Sequence, residues 1–356
     1  MNREELEKLR NRIDELDDAL ALLLERRQEI ARAIGEAKNG VHIYDPVREN
    51  EVVRGIQSRH PGISPRSLAV IMREVISLCR SIQSRPRVSF LGPEGSYSQQ
   101  AAFAALGRDI VQVHKRDPRE ILLSVQQEEA DLAVLAVENT TEGVVYATLD
   151  ALSESSPEIR ILREVRLPVR HVLAGPMESL REIREVRSHP QALAQCRLWL
   201  STRLPGIPLK VASSTSEAAS LAASGEGAAA ICNELAAEML NIPVLARNIQ
   251  DQPHNTTRFW VAGLGETRPS EGSKTSLLFN VSHTPGSLLR ALDPLRDEGL
   301  NLTFIQSRPM PGNPFEYTFF ADIEGHAGEE PLARALEAMR PRCFRMRVLG
   351  SYPCGE

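Results

Sequence analysis

The sequence predicts three modules of different class in one chain: an all-α module over residues 1–85, an α/β module over 86–268 and an α+β module over 273–356. Three observations carry this. Near the N-terminus apolar residues recur at alternating gaps of three and four, the period of a packed helix. From residue 86 short apolar runs alternate with helical stretches. Beyond residue 273 the patterns run strand, helix, strand, strand, helix, strand, the order of a ferredoxin-like unit. A length of 356 residues suits two or three domains.

The first helix runs from Arg3 to Lys38, with a seam of Leu6, Leu9, Ile13, Leu16, Leu20, Leu23, Ile30 and Ile34. Arg27 falls on the missing beat of that seam. A guanidinium there needs an anion, either a protein carboxylate or a bound ligand. Lys38 follows eleven residues later, a rotation of about 20°, and so shares the face of Arg27. Arg10 lies roughly 25 Å from Arg27 and roughly 42 Å from Lys38 along a straight helix. Either Arg10 is a solvated surface arginine, or it reaches such a site from a second copy of the helix.

The second helix opens at Asp45-Pro46 and the third at Ser64-Pro65, each an N-cap followed by proline at the first helical position. Arg48 and Glu49 stand in the first turn after Asp45, and Gln83 ends the third helix after Leu68, Ile71, Val75, Leu78 and Ile82. Read alone, Asp45 is a cap, and Arg48 and Glu49 fit a solvated turn as well as a site. Three long helices with so small a shared core would be better buried as a dimer.

Residues 1–84 resemble an all-helical chorismate mutase domain. The resemblance is carried by Arg10, Arg27, Lys38, Asp45, Arg48, Glu49 and Gln83 in "LRNRIDELDDALALLLERRQEIARAIGEAK", "IYDPVRENE" and the end of the third helix. It implies two interleaved chains, each pocket receiving an arginine from the partner. Cys79 stands where a serine contacts substrate in that pattern. The reaction is a rearrangement of a dianion that needs orientation and charge stabilisation, with no nucleophile or cofactor. Arg10, Arg27 and Arg48 would hold carboxylates. Lys38 and Gln83 would donate to the ether oxygen, and Glu49 would accept from the ring hydroxyl.

In the α/β module several strands end in small or polar residues before a helix: "GPEGSYS", "ENTTEG", "SHPQALAQC" and "SSTSEAA". Helix N-termini and free backbone N–H groups at such junctions suit a cleft for a dicarboxylate. The last strand carries "NTTRF", with Thr257 beside Arg258. This ordered set resembles prephenate dehydratase across nearly the whole module. The resemblance implies two α/β lobes around a cleft, similar to periplasmic binding proteins, and an essential role for Thr257. Glu138, Asn139, Ser188, His189, Ser214, Thr215, Arg258 and Phe259 are the candidate substrate-binding residues. Thr257 would act on the leaving hydroxyl as donor or relay.

The α+β module resembles the ACT regulatory domain attached to prephenate dehydratases. Pro285, Gly286, Ser287 and Leu288 match one effector motif, and Gln306, Ser307 and Arg308 another. Many members of that family have glutamate where Gln306 stands. The whole chain therefore resembles the bifunctional chorismate mutase/prephenate dehydratase family of phenylalanine biosynthesis. The resemblance implies chorismate and prephenate as substrates, with arogenate as the alternative to prephenate, and phenylalanine as feedback inhibitor. A non-catalytic amino-acid sensor is the competing reading; it has no use for a separate constellation of Arg27, Lys38, Glu49 and Gln83.

Composition fits this picture. With 42% hydrophobic and 25% charged residues the chain reads as globular. A net charge of −5 gives no reason to expect nucleic acid or a membrane as partner. No apolar run approaches the roughly 20 residues of a membrane span, and the charged N-terminal helix lacks signal-peptide character. Five cysteines without paired spacing suit reduced thiols in the cytoplasm, and no metal or cofactor is expected.

Overall fold

The computed structural model describes residues 3–37, 44–225, 227–310 and 316–354. Lys38 lies outside the described residues. Contacts divide the chain into two compact units: one from the N-terminus to Pro86 together with Leu106–Val111, and one of Arg87–Ala105 together with Gln112–Glu356.

The first unit holds α1 (Arg3–Ala37), α2 (Pro46–Arg59) and α3 (Pro65–Gln83). The Asp45 carboxylate accepts the Arg48 N–H at 2.9 Å, and the Ser64 hydroxyl accepts the Ser67 N–H at 3.5 Å, so both expected caps form. The 35 residues of α1 span about 52 Å and the 19 of α3 only about 28 Å. The shorter helices therefore cover one end of α1. As a result the seam expected to be packed stands open in the single chain at Leu9, Ile13, Leu16, Leu20 and Leu23, with Leu16 69% exposed. The segment 106–111 packs along α3: the Asp109 N–H meets the Ser77 hydroxyl at 3.2 Å and the Arg108 N–H meets Glu74 at 3.1 Å.

The second unit contains three sheets. Its first lobe comprises β1 (Arg87–Leu91), α4 (Tyr97–Leu106), β2 (Val111–Lys115), α5 (Pro118–Gln126), β3 (Leu132–Asn139), β4 (Gly143–Val144), α6 (Tyr146–Glu154) and β5 (Ile159–Pro168). The second lobe follows as β6 (Val172–Ala174), β7 (Glu185–Ser188), α7 (Pro190–Gln195), α8 (Arg197–Arg203), β8 (Leu209–Val211), α9 (Thr215–Ser224), β9 (Ala228–Cys232), α10 (Glu234–Met239) and β10 (Val244–Arg247). The chain then returns to the first lobe as β11 (Thr256–Leu264), which inserts antiparallel between β3 and β5. Two crossings thus join two α/β lobes of strand order β2-β1-β3-β11-β5 and β10-β6-β9-β7-β8. The central β9, Ala228–Cys232, is buried throughout, as a strand covered by helices must be.

The remaining chain forms β12 (Ser273–Asn280), α11 (Ser287–Asp297), β13 (Leu302–Pro309), β14 (Tyr317–Glu324), α12 (Leu332–Met339) and β15 (Arg345–Pro353). Their antiparallel order β13-β14-β12-β15 is the ferredoxin-like arrangement expected from the pattern. This subdomain shares its core with the first lobe. Leu278, Phe320, Leu349 and Tyr352 pack in one cluster with Leu135, Leu149 and Trp260. Gly350 makes the approach possible, since a Cβ there would lie 2.2 Å from the Ile161 carbonyl oxygen. No described helix is long and apolar enough to cross a membrane.

Candidate functional sites

In the helical unit Arg27, Asp45, Arg48, Glu49, Cys79 and Gln83 line one cavity of about 270 Å³. Helix geometry accounts for this convergence. Cys79 and Gln83 are four residues apart on α3, one above the other. Asp45, Arg48 and Glu49 are grouped by the first turn of α2. Arg27, on the covered end of α1, donates to the Val75 carbonyl at 3.3 Å and, among the described residues, has no carboxylate partner. Arg48 pairs with Glu51 at 3.4 Å but is 66% exposed, a contact water would share. Glu49 is held by Arg80, a residue the sequence reading passed over, which is 4% exposed and lines the same cavity. Gln83 sits against Gly35, where a Cβ would be 2.8 Å from the Gln83 Cγ. Arg10 is exposed and does not line this cavity.

In the two-lobed unit the register of β11 on β3 sorts the expected residues between two faces. Thr257 pairs with Asn139, and Arg258 with Glu138. Alternation then puts Thr257 and Asn139 on one face and Arg258 and Glu138 on the other. The Asn139 amide donates to the Thr257 hydroxyl and to the Asn255 side-chain carbonyl, both at 2.8 Å. Its own oxygen accepts the N–H groups of Thr141 at 2.9 Å and Glu142 at 3.0 Å. An amide nitrogen cannot accept, so the Thr257 hydroxyl receives from Asn139 and keeps its proton for another acceptor.

A polar chain links this turn to the second lobe. Gln195 donates to Glu142 at 3.3 Å, and its carbonyl lies 2.8 Å from His171 Nε2. His171 Nδ1 lies 3.0 Å from the Tyr97 hydroxyl. The Tyr97 hydroxyl donates its one proton to the Arg170 carbonyl at 2.8 Å with Nδ1 beside it, and Nε2–H donates to the Gln195 carbonyl. Burial pushes the His171 pKa down, against the opposing hydrogen bond to Gln195. The Asn233 amide closes the lobes further by donating to the Gly95 carbonyl at 2.8 Å.

The structure corrects several expected substrate contacts. Arg258 is turned into the ferredoxin-like subdomain, where it pairs with Asp322 and, at 3.3 Å, with Glu164; its Nε lies 3.4 Å from Glu138. Lys274 completes the group at 2.9 Å from Glu164. Burial alone would raise the Glu164 carboxyl, but Lys274 and Arg258 outweigh it and hold the pKa below the usual value. Arg258 is therefore a docking group, with Glu138 beside it, because the strand pleat sends both away from Thr257. Phe259 is 1% exposed and belongs to the core. Ser188 is buried and donates to the Ile231 carbonyl at 2.6 Å. His189 caps α7 by accepting the Gln191 N–H at 3.3 Å. Ser214 caps α9, with Thr215 as its first residue, and Glu217 reaches back to the Ser213 N–H at 2.6 Å as a capping box.

At the effector motifs, register places Asn280 and Arg308 opposite Thr318, so both motifs lie at one end of the sheet. Gly286 caps α11 with φ 77°, and Pro285 and Gly286 are exposed while Ser287 and Leu288 are half-buried. Gln306 donates to the Ser307 carbonyl at 3.0 Å. Arg308 differs from its expected role: it grips Asp150 of α6 through bonds of 2.8 and 2.6 Å and stacks on Tyr146 at 4.5 Å. Its fork is therefore a strut between subdomain and lobe.

Fold and sites together define a multidomain enzyme class: a helical module with a cationic pocket, a two-lobed module with a hydroxyl poised at a strand mouth, and a ferredoxin-like module docked on it. Two family models match the chain, chorismate mutase type II over residues 9–84 and prephenate dehydratase over 88–266. A bifunctional chorismate mutase/prephenate dehydratase of Aquifex aeolicus is 38% identical over 357 residues, covering 98% of each chain. Among solved structures, prephenate dehydratase from Arthrobacter aurescens in complex with L-Phe shares 34% identity with a TM-score of 0.69, covering 75% of this chain and 89% of that one. GqqA, described as a quorum-quenching acylase, shares 32% identity with a TM-score of 0.70, covering 76% of this chain and 98% of that one. The chain belongs to the bifunctional chorismate mutase/prephenate dehydratase family.

Proposed function

We propose that this chain converts chorismate to prephenate in the helical pocket and prephenate to phenylpyruvate in the two-lobed cleft, under feedback by phenylalanine at the ferredoxin-like subdomain. The observation that carries this reading is the convergence of Arg27, Asp45, Arg48, Glu49, Cys79 and Gln83 on one small cavity. Arg27 and Arg48 bind the two carboxylates of chorismate and favour its compact conformer. The Gln83 amide, with Lys38, meets the negative charge that grows on the ether oxygen as its bond to carbon breaks. Glu49 accepts from the ring hydroxyl.

In the cleft the carboxylate leaves as CO₂, and its electron pair aromatises the ring as the hydroxyl departs. Thr257 supplies the proton that makes the hydroxyl leave as water, and solvent replaces it. Asn139 fixes the direction of that proton by occupying the lone pair on the other side of the oxygen. His189 and Ser214 remain helix caps, and Thr215 opens α9, so any contact they make with the carboxylates is through the N-termini they cap. Phenylalanine would bind where Pro285–Leu288 and Gln306–Arg308 meet at the sheet end.

The active form is a dimer in which a second α1 covers the open seam of Leu9 to Leu23 and brings the partner's Arg10 to the cavity. A cytoplasmic setting suits its five free thiols. A coupled assay tests the whole reading: chorismate and then prephenate are supplied, and the loss of each is followed with and without phenylalanine. Consumption of both, with the second step slowed by phenylalanine, is expected; failure to consume either removes the corresponding module's assignment.

A further inference from the structure

We infer that Arg80 is a positioning residue of the mutase pocket: it holds Glu49 aimed at the cavity and away from Arg27 and Arg48. This rests on the mutase reading above. Arg80 is 4% exposed, and its guanidinium is fixed from two sides. One terminal nitrogen meets the Glu49 carboxylate, and the other meets the Leu106 carbonyl. The Tyr44 ring lies 5.7 Å from the guanidinium carbon. The Arg80 Nε has no hydrogen-bond partner among the described residues. A buried cation left partly unsatisfied is costly, and its pairing with Glu49 offsets that cost.

The consequence follows from what else lines the cavity. Glu49 shares it with Arg27 and Arg48, neither of which is engaged in a buried ion pair among the described residues. A carboxylate released beside those arginines would bind them itself and compete with the substrate dianion. It would also leave the place from which it accepts the ring hydroxyl. Arg80 prevents both by giving Glu49 a stronger fixed partner. The residue thus acts through Glu49, without touching substrate.

The test is a double-mutant cycle on the full chain, with chorismate turnover as readout. Arg80→Met should lower kcat/KM about 30-fold, with KM raised and kcat lowered. In the Glu49→Gln background the same change should cost less than about threefold, because the competing carboxylate is gone. Arg80→Lys, which keeps the charge and spares the fold, should stay within about fivefold of the parent. Prephenate turnover by the same samples should not change. Equal losses in both backgrounds, or no loss at all, would overturn the inference. A parent protein that does not convert chorismate would instead overturn the mutase reading.

Discussion

Arg27 in the helical pocket and Arg258 beside Thr257 both fall in motifs that suggest an anion clamp, yet the fold treats them differently. Arg27 lines a cavity with no carboxylate partner among the described residues. Arg258 is locked to Asp322 and Glu164 on the face away from Thr257. An arginine serves a ligand only where the protein has not already provided its counter-ion. The helical pocket keeps its charge for a dianion that rearranges without proton transfer. In the cleft Asn139 donates to the Thr257 hydroxyl, and the neighbouring arginine docks the ferredoxin-like subdomain.

Substitutions that separate these two designs should have graded effects. The largest is expected for Thr257→Ala, which removes the proposed proton donor: phenylpyruvate formation should fall by about 10³-fold or more, with chorismate turnover unchanged. Thr257→Ser should recover part of it. Asp322→Asn leaves Arg258 with Glu164 and the more exposed Glu138 and should destabilise the two-lobed unit by about 3 kcal/mol in urea unfolding, a magnitude typical of breaking a buried pair. Gly35→Ala is a sharper probe of the helical side. Helix propensity favours alanine by about 1 kcal/mol, but its Cβ would displace Gln83. Chorismate turnover should therefore drop about tenfold while thermal stability barely changes.

The smallest effect is one of pH. His171 is held neutral by burial, below its ordinary value of 6.5. An imidazole that titrates lower in the folded than in the unfolded chain contributes stability that is complete above the unfolded pKa and is lost as pH falls through the folded one. Unfolding free energy should decline from about pH 6.5 downward, and His171→Gln should flatten that slope.

The helices, their caps and the strand order of the last subdomain were legible because period and turn chemistry are local. The residues of α2 and α3 that line the cavity were named by the resemblance, because read alone Asp45, Arg48 and Glu49 fit a cap and a solvated turn equally well. What local pattern could not reveal was which face of β11 looks at the cleft. A two-residue period assigns Thr257 and Arg258 to opposite sides, and the tripeptide read as a unit hid this. The same alternation would have picked out Asn255 beside Thr257. Arg80 left a weak signal, a cation between Leu78 and Ile82 on an apolar helix. His171 and Gln195 left none, because their partners are far away in sequence. The seam of α1 was read correctly as apolar, but its cover is not within the single chain.

We propose that the helical pocket is completed by a second chain, whereas the cleft is complete in one. Mixing Arg10→Ala with Arg27→Ala chains tests it most directly. Each alone should be nearly inactive on chorismate. After subunit exchange about one quarter of parental mutase activity should return, since half the dimers are hybrids and each hybrid has one intact pocket. Prephenate turnover should stay constant throughout. No recovery on mixing, or an Arg10→Ala chain that is fully active alone, would contradict the claim.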